Sequence, residues 1–112
     1  MEILNASELL AALGHESRLS IFRVLVEAGP EGLNPGPLGE QLAMAPATLS
    51  FHLAHLTRAG LIQARKSGRF IHYSADYATM NELIAFLTHN CCQGTSCPPR
   101  KGDADTPNKE TE

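Results

Sequence analysis

Two prolines constrain the middle of this chain more than any other feature. Pro35 follows Asn34 and Pro46 follows Ala45, and proline suits the first position of a helix, where its fixed φ matches and its missing N–H is not needed. After Pro35, the apolar residues Leu38 and Leu42 fall at helical spacing. After Pro46, Leu49, Leu53 and Leu56 do the same until Gly60, a natural helix terminator. Only Ala43 to Ala45 separate the two segments, so the spacing predicts two short helices joined by a tight turn, a helix-turn-helix unit. With its leucines committed inward, the second helix keeps Ala47, Thr48, Ser50, Phe51 and His55 on its outer faces. These are mostly small or hydrogen-bonding and include no acid to repel phosphate, and such a surface can enter a major groove. Phe51 fits either of two uses, contact with a thymine methyl or a cover over the helix-turn-helix junction.

The flanking segments complete a small domain. Asn5 with Glu8 predicts a capping box, and Leu9, Leu10 and Leu13 supply an apolar face, giving a first helix near residues 5 to 14. Leu19, Phe22, Leu25 and Val26 predict a second, more buried helix, stopped by Gly29-Pro30. Beyond Gly60, LIQAR and RFIHYS partly alternate in polarity, and Lys66-Ser67-Gly68-Arg69 between them predicts a hairpin. Tyr77, Met80, Ile84 and Leu87 mark a last helix over about 77 to 89. The expected fold class is mainly α with a small β-hairpin, a winged helix-turn-helix. Residues 1–90 form the domain, and residues 91–112 form a cysteine-containing tail whose Gly, Pro and charged residues predict flexibility. A chain of 112 residues, 43% apolar, suffices for one core of ordinary size.

The net charge of −3 conceals a division along the chain. Residues 1–40 hold six acids and two bases, residues 76–112 six acids and three bases, and residues 41–75 hold Arg58, Arg65, Lys66 and Arg69 with no acid. A basic strip inside an acidic protein suits a nucleic-acid face, with bases at the hairpin tip reaching phosphates or a minor groove. Taken alone, the charge is better explained by chance clustering on a solvated face.

Together, LGEQLAMAPATLSFHLAHLTRAGLI and the basic GRFIHYS that follows resemble the winged-helix core of the ArsR/SmtB family of metalloregulatory repressors, over roughly residues 5 to 90. The resemblance implies a homodimer joined through its first and last helices, reading an inverted repeat in double-stranded operator DNA and released from it by an inducer. It places DNA contacts at Ala47, Thr48, Ser50, Phe51, His52, His55, Arg65, Lys66 and Arg69, with His52 at the position of the family's fixed histidine, where a packing residue on the helix edge is the equal alternative to a DNA contact. Ala45 stands where many members carry a Ser or Thr N-cap.

The family's inducer sites are matched unevenly. The two cysteine positions of its third-helix site read Asn34 and Gly36, and its last-helix Asp-x-His pair reads Asp76 and Ala78, leaving only His89 near that helix end. What remains is CCQGTSC, which holds all three cysteines of the chain: Cys91, Cys92 and Cys97. This trio resembles the C-terminal trivalent-arsenic site of one ArsR subgroup. Thiolates are soft ligands for thiophilic centres, so As(III) is the expected inducer, with Sb(III) as a further ligand and no organic cofactor. The N-terminus has no signal-peptide pattern and no stretch is apolar enough to span a membrane, so a cytoplasmic location with reduced thiols is expected. Thiol redox sensing and a zinc site of His89 with the cysteines are the competing readings of the trio. Enzymatic use of a thiol is disfavoured, because the pair follows a helix C-terminus, whose dipole opposes a thiolate. A winged helix serving only protein contacts would lack salt-dependent DNA binding.

Overall fold

The computed structural model describes residues 1–95, so Cys97 and the remainder of the tail lie outside the described residues. Five helices and one hairpin follow in the order α1 (Ile3–Leu13), α2 (Glu16–Ala28), α3 (Pro35–Leu42), α4 (Pro46–Ala59), β1 (Ile62–Ser67), β2 (Phe70–Ala75) and α5 (Tyr77–Thr88). This is the expected winged helix-turn-helix. Pro35 and Pro46 open α3 and α4 as the sequence predicts.

Both helices of the central unit end in the same motif. Ala43 takes left-handed φ and ψ of 53° and 48° while Met44 N–H donates to Gly39 O at 2.9 Å; Gly60 has φ 88° while Leu61 N–H donates to Leu56 O at 3.1 Å. This six-to-one hydrogen bond ties off otherwise unpaired carbonyls and turns the chain sharply. At Gly60 the left-handed conformation is free of steric cost, whereas at Ala43 it costs about 1 kcal/mol.

The core gathers Ala6, Leu9 and Ala12 of α1, Ile21, Phe22 and Leu25 of α2, Leu38 of α3, the α4 stripe Leu49, Leu53 and Leu56, then Leu61, Ile62, Ala75 and Leu83. Two sequence expectations need correcting. Helix α1 starts at Ile3 with Glu2 as N-cap and no side-chain cap, so Asn5 and Glu8 lie within the helix and form no capping box. In α2 the buried face is set by Ile21, Phe22 and Leu25, and Leu19 is exposed. The reason is rotational: Ile21 and Leu25 are fully buried and centre the inner face, which leaves Leu19 beyond its margin, while Arg18 bonds the end of α1 through Nε to Ala12 O at 2.6 Å.

The hairpin runs antiparallel from Ile62 opposite Ala75 to Ser67 opposite Phe70, so the connection narrows from the four residues expected to Gly68-Arg69. Gly68 has φ 64° and Arg69 is not left-handed, the pattern of a type II′ turn that matches strand twist. Leu33 pairs with Tyr73, fixing the hairpin against the α2–α3 connection. Helices α1 and α5 pack together and leave Ile3, Leu4, Ile84 and Leu87 exposed. Among the described residues, no helix is long and apolar enough to cross a membrane. After α5 the chain enters a short kinked segment, Cys91–Gly94, in which Cys92 and Gln93 are left-handed, so the first part of the expected tail is a defined turn.

Candidate functional site

Helix α4 is held by its inner face. Leu49, Leu53 and Leu56 are buried, which fixes the helix's rotation and commits Ala47, Thr48, Ser50 and Phe51 to the outside. Phe51 is 64% exposed, so its ring does not serve as a cover over the helix-turn-helix junction. His55 is half-buried on the same helix. Burial, with the positive charges of Arg18, Arg58 and His15 nearby, lowers its pKa.

His52 departs from the sequence expectation. It is buried, with its ring 4.8 Å from that of His15 and in edge contact with Phe51 at 5.6 Å. Placed one residue from the leucine stripe, it turns inward with it and is a packing residue beneath the face rather than a group offered to a groove. Its Nδ1 has no hydrogen-bond partner, and burial first, then His15, Arg18 and His55, lowers its pKa. A neutral ring is therefore the form that the fold accommodates.

The hairpin carries Arg65, Lys66 and Arg69, all exposed. Among the described residues none of them sits in an ion pair; Arg65 makes only a long 3.4 Å bond to Glu31 O. Their charge is thus available to an outside anion. The exposed face of α4 and this basic hairpin follow one another in the chain through the short Gly60-Leu61 link. Together they offer hydrogen-bonding groups suited to base edges and cations suited to phosphates.

Asp76 has a role that the residue pattern did not reveal, since by family resemblance it stands only for half of a metal-ligand pair. Its carboxylate caps α5 by accepting from Thr79 N–H at 3.0 Å and also accepts from Gln63 Nε2 at 3.2 Å, while its own N–H donates to Leu61 O at 2.8 Å. One residue thereby joins the Gly60-Leu61 link that follows α4, the hairpin and α5. The signal that could have found it is an Asp placed immediately before the first apolar residue of a helical pattern, the position of an N-cap. Tyr77 adds a second tie, donating its hydroxyl to Val26 O at 2.9 Å.

Just past the other end of α5 stand Cys91 and Cys92, both exposed, with sulfurs 3.7 Å apart. That separation is far beyond a disulfide bond of about 2.05 Å. The turn that presents them is folded on itself: Asn90, Cys92 and Gln93 all have left-handed φ between 55° and 58°, and Cys92 O accepts from Thr95 N–H and Oγ1. Left-handed conformations cost about 1 kcal/mol or more for residues with a side chain. Among the described residues no group of three His, Cys, Asp or Glu side chains is placed to hold a metal; the third cysteine of the expected trio, Cys97, lies outside them.

Comparison with known proteins agrees with this geometry. A family model described as a helix-turn-helix domain matches residues 13–63. The transcriptional activator HlyU of Vibrio cholerae is 33% identical over 85 residues, covering 76% of each chain, and its structure in the reduced form matches with a TM-score of 0.63 over 80% of this chain and 92% of that one. An ArsR-like transcriptional regulator from Rhodococcus sp. RHA1 matches with a TM-score of 0.72 at 26% identity, over 81% of this chain and 83% of that one. A structure described as a possible transcriptional regulator for arsenical resistance matches with a TM-score of 0.63 at 28% identity, over 71% and 80%.

Proposed function

The chain belongs to the ArsR/SmtB family of winged-helix transcriptional regulators, DNA-binding proteins rather than enzymes, and on that premise we propose that it is an arsenic(III)-responsive repressor. The observation that carries the reading is the position of the thiol pair: two exposed sulfurs 3.7 Å apart at the end of α5, the helix whose opposite end is hydrogen-bonded into the hairpin and the Gly60-Leu61 link that follows α4. Close thiols suit a single thiophilic centre, and trivalent arsenic takes three such ligands, Cys91, Cys92 and Cys97. Sb(III) has the same ligand preference.

In this reading a dimer forms through α1 and α5, covering Ile3, Leu4, Ile84 and Leu87, which a monomer leaves in water. Two α4 helices then face successive major grooves of an inverted repeat, about 34 to 36 Å apart. Ligation lowers operator affinity only if it favours the DNA-free arrangement, and the coupling is reciprocal. Rebuilding the left-handed turn at Asn90–Gln93 shifts the end of α5, and the Asp76 bonds give that shift a path to the hairpin and α4.

Thiol oxidation is the second reading, favoured by the adjacency of the two sulfurs and by the likeness to HlyU, whose structure has been solved in a reduced form. Zinc sensing requires His89 to join the cysteines. The test is fluorescence anisotropy of the reduced protein on an inverted-repeat duplex from its own promoter, titrated separately with arsenite, zinc and a mild oxidant. Release by arsenite, lost in C91S, C92S and C97S alike, is the expected result. Release by oxidant alone transfers the site to redox sensing, and release by zinc alone to metal sensing.

A further inference from the structure

Phe51 is the one large apolar side chain on the outer face of α4, and its setting is unusual for an exposed phenylalanine. Its neighbours on that face include Ala47 and Ala54 at i−4 and i+3 and Thr48 at i−3, all exposed and small, with the half-buried His55 at i+4. Beside it lie two further rings, His52 in edge contact at 5.6 Å with an interplanar angle of 66°, and His15 tilted against His52 at 4.8 Å. Helix α4 carries no acid, and the nearest exposed bases along the chain are Arg58 and those of the hairpin. A single large apolar ring among small and acid-free neighbours does not match a protein-binding patch, which would extend over several large apolar side chains. It matches a groove walled by phosphates.

The major groove, which admits an α-helix, offers one apolar group: the C5 methyl of thymine. Apolar wedges between base steps belong to minor-groove binders and do not suit a helix of this size. We propose that Phe51 is a specificity-determining residue that packs on a thymine methyl, so that the operator of this protein requires a thymine at one fixed position of each half-site. The inference rests on the regulator reading of α4 and adds to it the base that this residue selects.

The test begins with full-length protein selecting its site from a random duplex library. Each thymine of the selected site is then replaced singly by deoxyuridine, which removes only the methyl. Affinities are measured by anisotropy for the wild type, F51A and F51L. The expected result is one thymine per half-site whose replacement weakens the wild type about fourfold, the factor for one buried methyl-sized group. The penalty disappears in F51A and persists in part in F51L, which keeps an apolar contact. A uracil series without effect in the wild type, or a penalty retained undiminished in F51A, overturns the assignment while leaving the regulator reading intact. Recovery of no preferred site, with binding indifferent to salt, overturns both.

Discussion

The DNA-facing end of the molecule and its thiol end are built on opposite physical terms. The DNA-facing end is a rigid display: α4 rests on three buried leucines and a histidine stack, and its outward residues have little freedom to choose their direction. The thiol end is a lightly held turn of exposed residues, set in left-handed conformations and secured by local hydrogen bonds. In the proposed reading, recognition requires geometry that survives the encounter with DNA, whereas sensing requires a segment that a ligand can rearrange at little cost. On that proposal the contrast matches the two roles, with core leucines beneath one end and exposed residues making up the other.

The contrast breaks most severely under α4. Leu53→Ala removes a buried side chain, 2% exposed, and should cost about 2–5 kcal/mol in urea unfolding. The corresponding changes at the thiol end, Cys91→Ser and Cys92→Ser, should stay within about 0.5 kcal/mol because both residues are exposed. Next in size is the electrostatic part of the display. Neutralising Arg65, Lys66 or Arg69 to glutamine should weaken binding to all duplexes alike and flatten the slope of log affinity against log salt by about 0.9 for each phosphate left unneutralised.

The link between the two ends is of intermediate strength. Asp76→Ala removes the α5 cap and the bond from Gln63, and should cost about 1 kcal/mol in stability. If Asp76 also carries the coupling, the variant should bind DNA yet show a weakened response to arsenite in the same anisotropy titration. Asp76→Asn, which retains an acceptor for Thr79 N–H, should preserve most of the stability.

A smaller effect concerns pH. Burial holds the pKa of His52 below its ordinary value of 6.5, and His55 shifts in the same direction. Below pH 6.5 the unfolded chain therefore takes up protons that the folded chain resists, so stability is fully present above that pH and declines as pH falls through it. Urea midpoints measured between about pH 8 and 5 should show this decline, and His52→Gln should flatten it. A pH profile unchanged in that variant would show that the decline originates elsewhere.

Much of the scaffold is readable from residues alone because its signals are local. Pro35 and Pro46 fix two helix starts, Gly60 fixes an end, and the leucine spacing of α4 fixes its inner face, each through backbone sterics or the helical period. The failures are equally specific. Asn5 and Glu8 have the spacing of a capping box, but the helix begins before them at Ile3 with Glu2 as N-cap, so a residue spacing that suits a cap also occurs within a helix. The family resemblance places His52 among the DNA contacts, although it follows Leu49 by three residues and precedes Leu56 by four and so shares their inner face; only its packing against His15 needed the fold.

By itself, then, the sequence determined the order of elements, the helix-turn-helix with its basic hairpin, and the presence of a cysteine group just past the last helix, because all of these follow from short-range spacing and residue chemistry. Only the tertiary structure decided that His52 packs against His15, that Asp76 joins the Gly60-Leu61 link, the hairpin and α5, and that the sulfurs of Cys91 and Cys92 stand 3.7 Å apart in a left-handed turn. The first two depend on contacts between residues remote in sequence, and the last on backbone torsions that residues with side chains seldom adopt, so neither kind of information is carried by spacing.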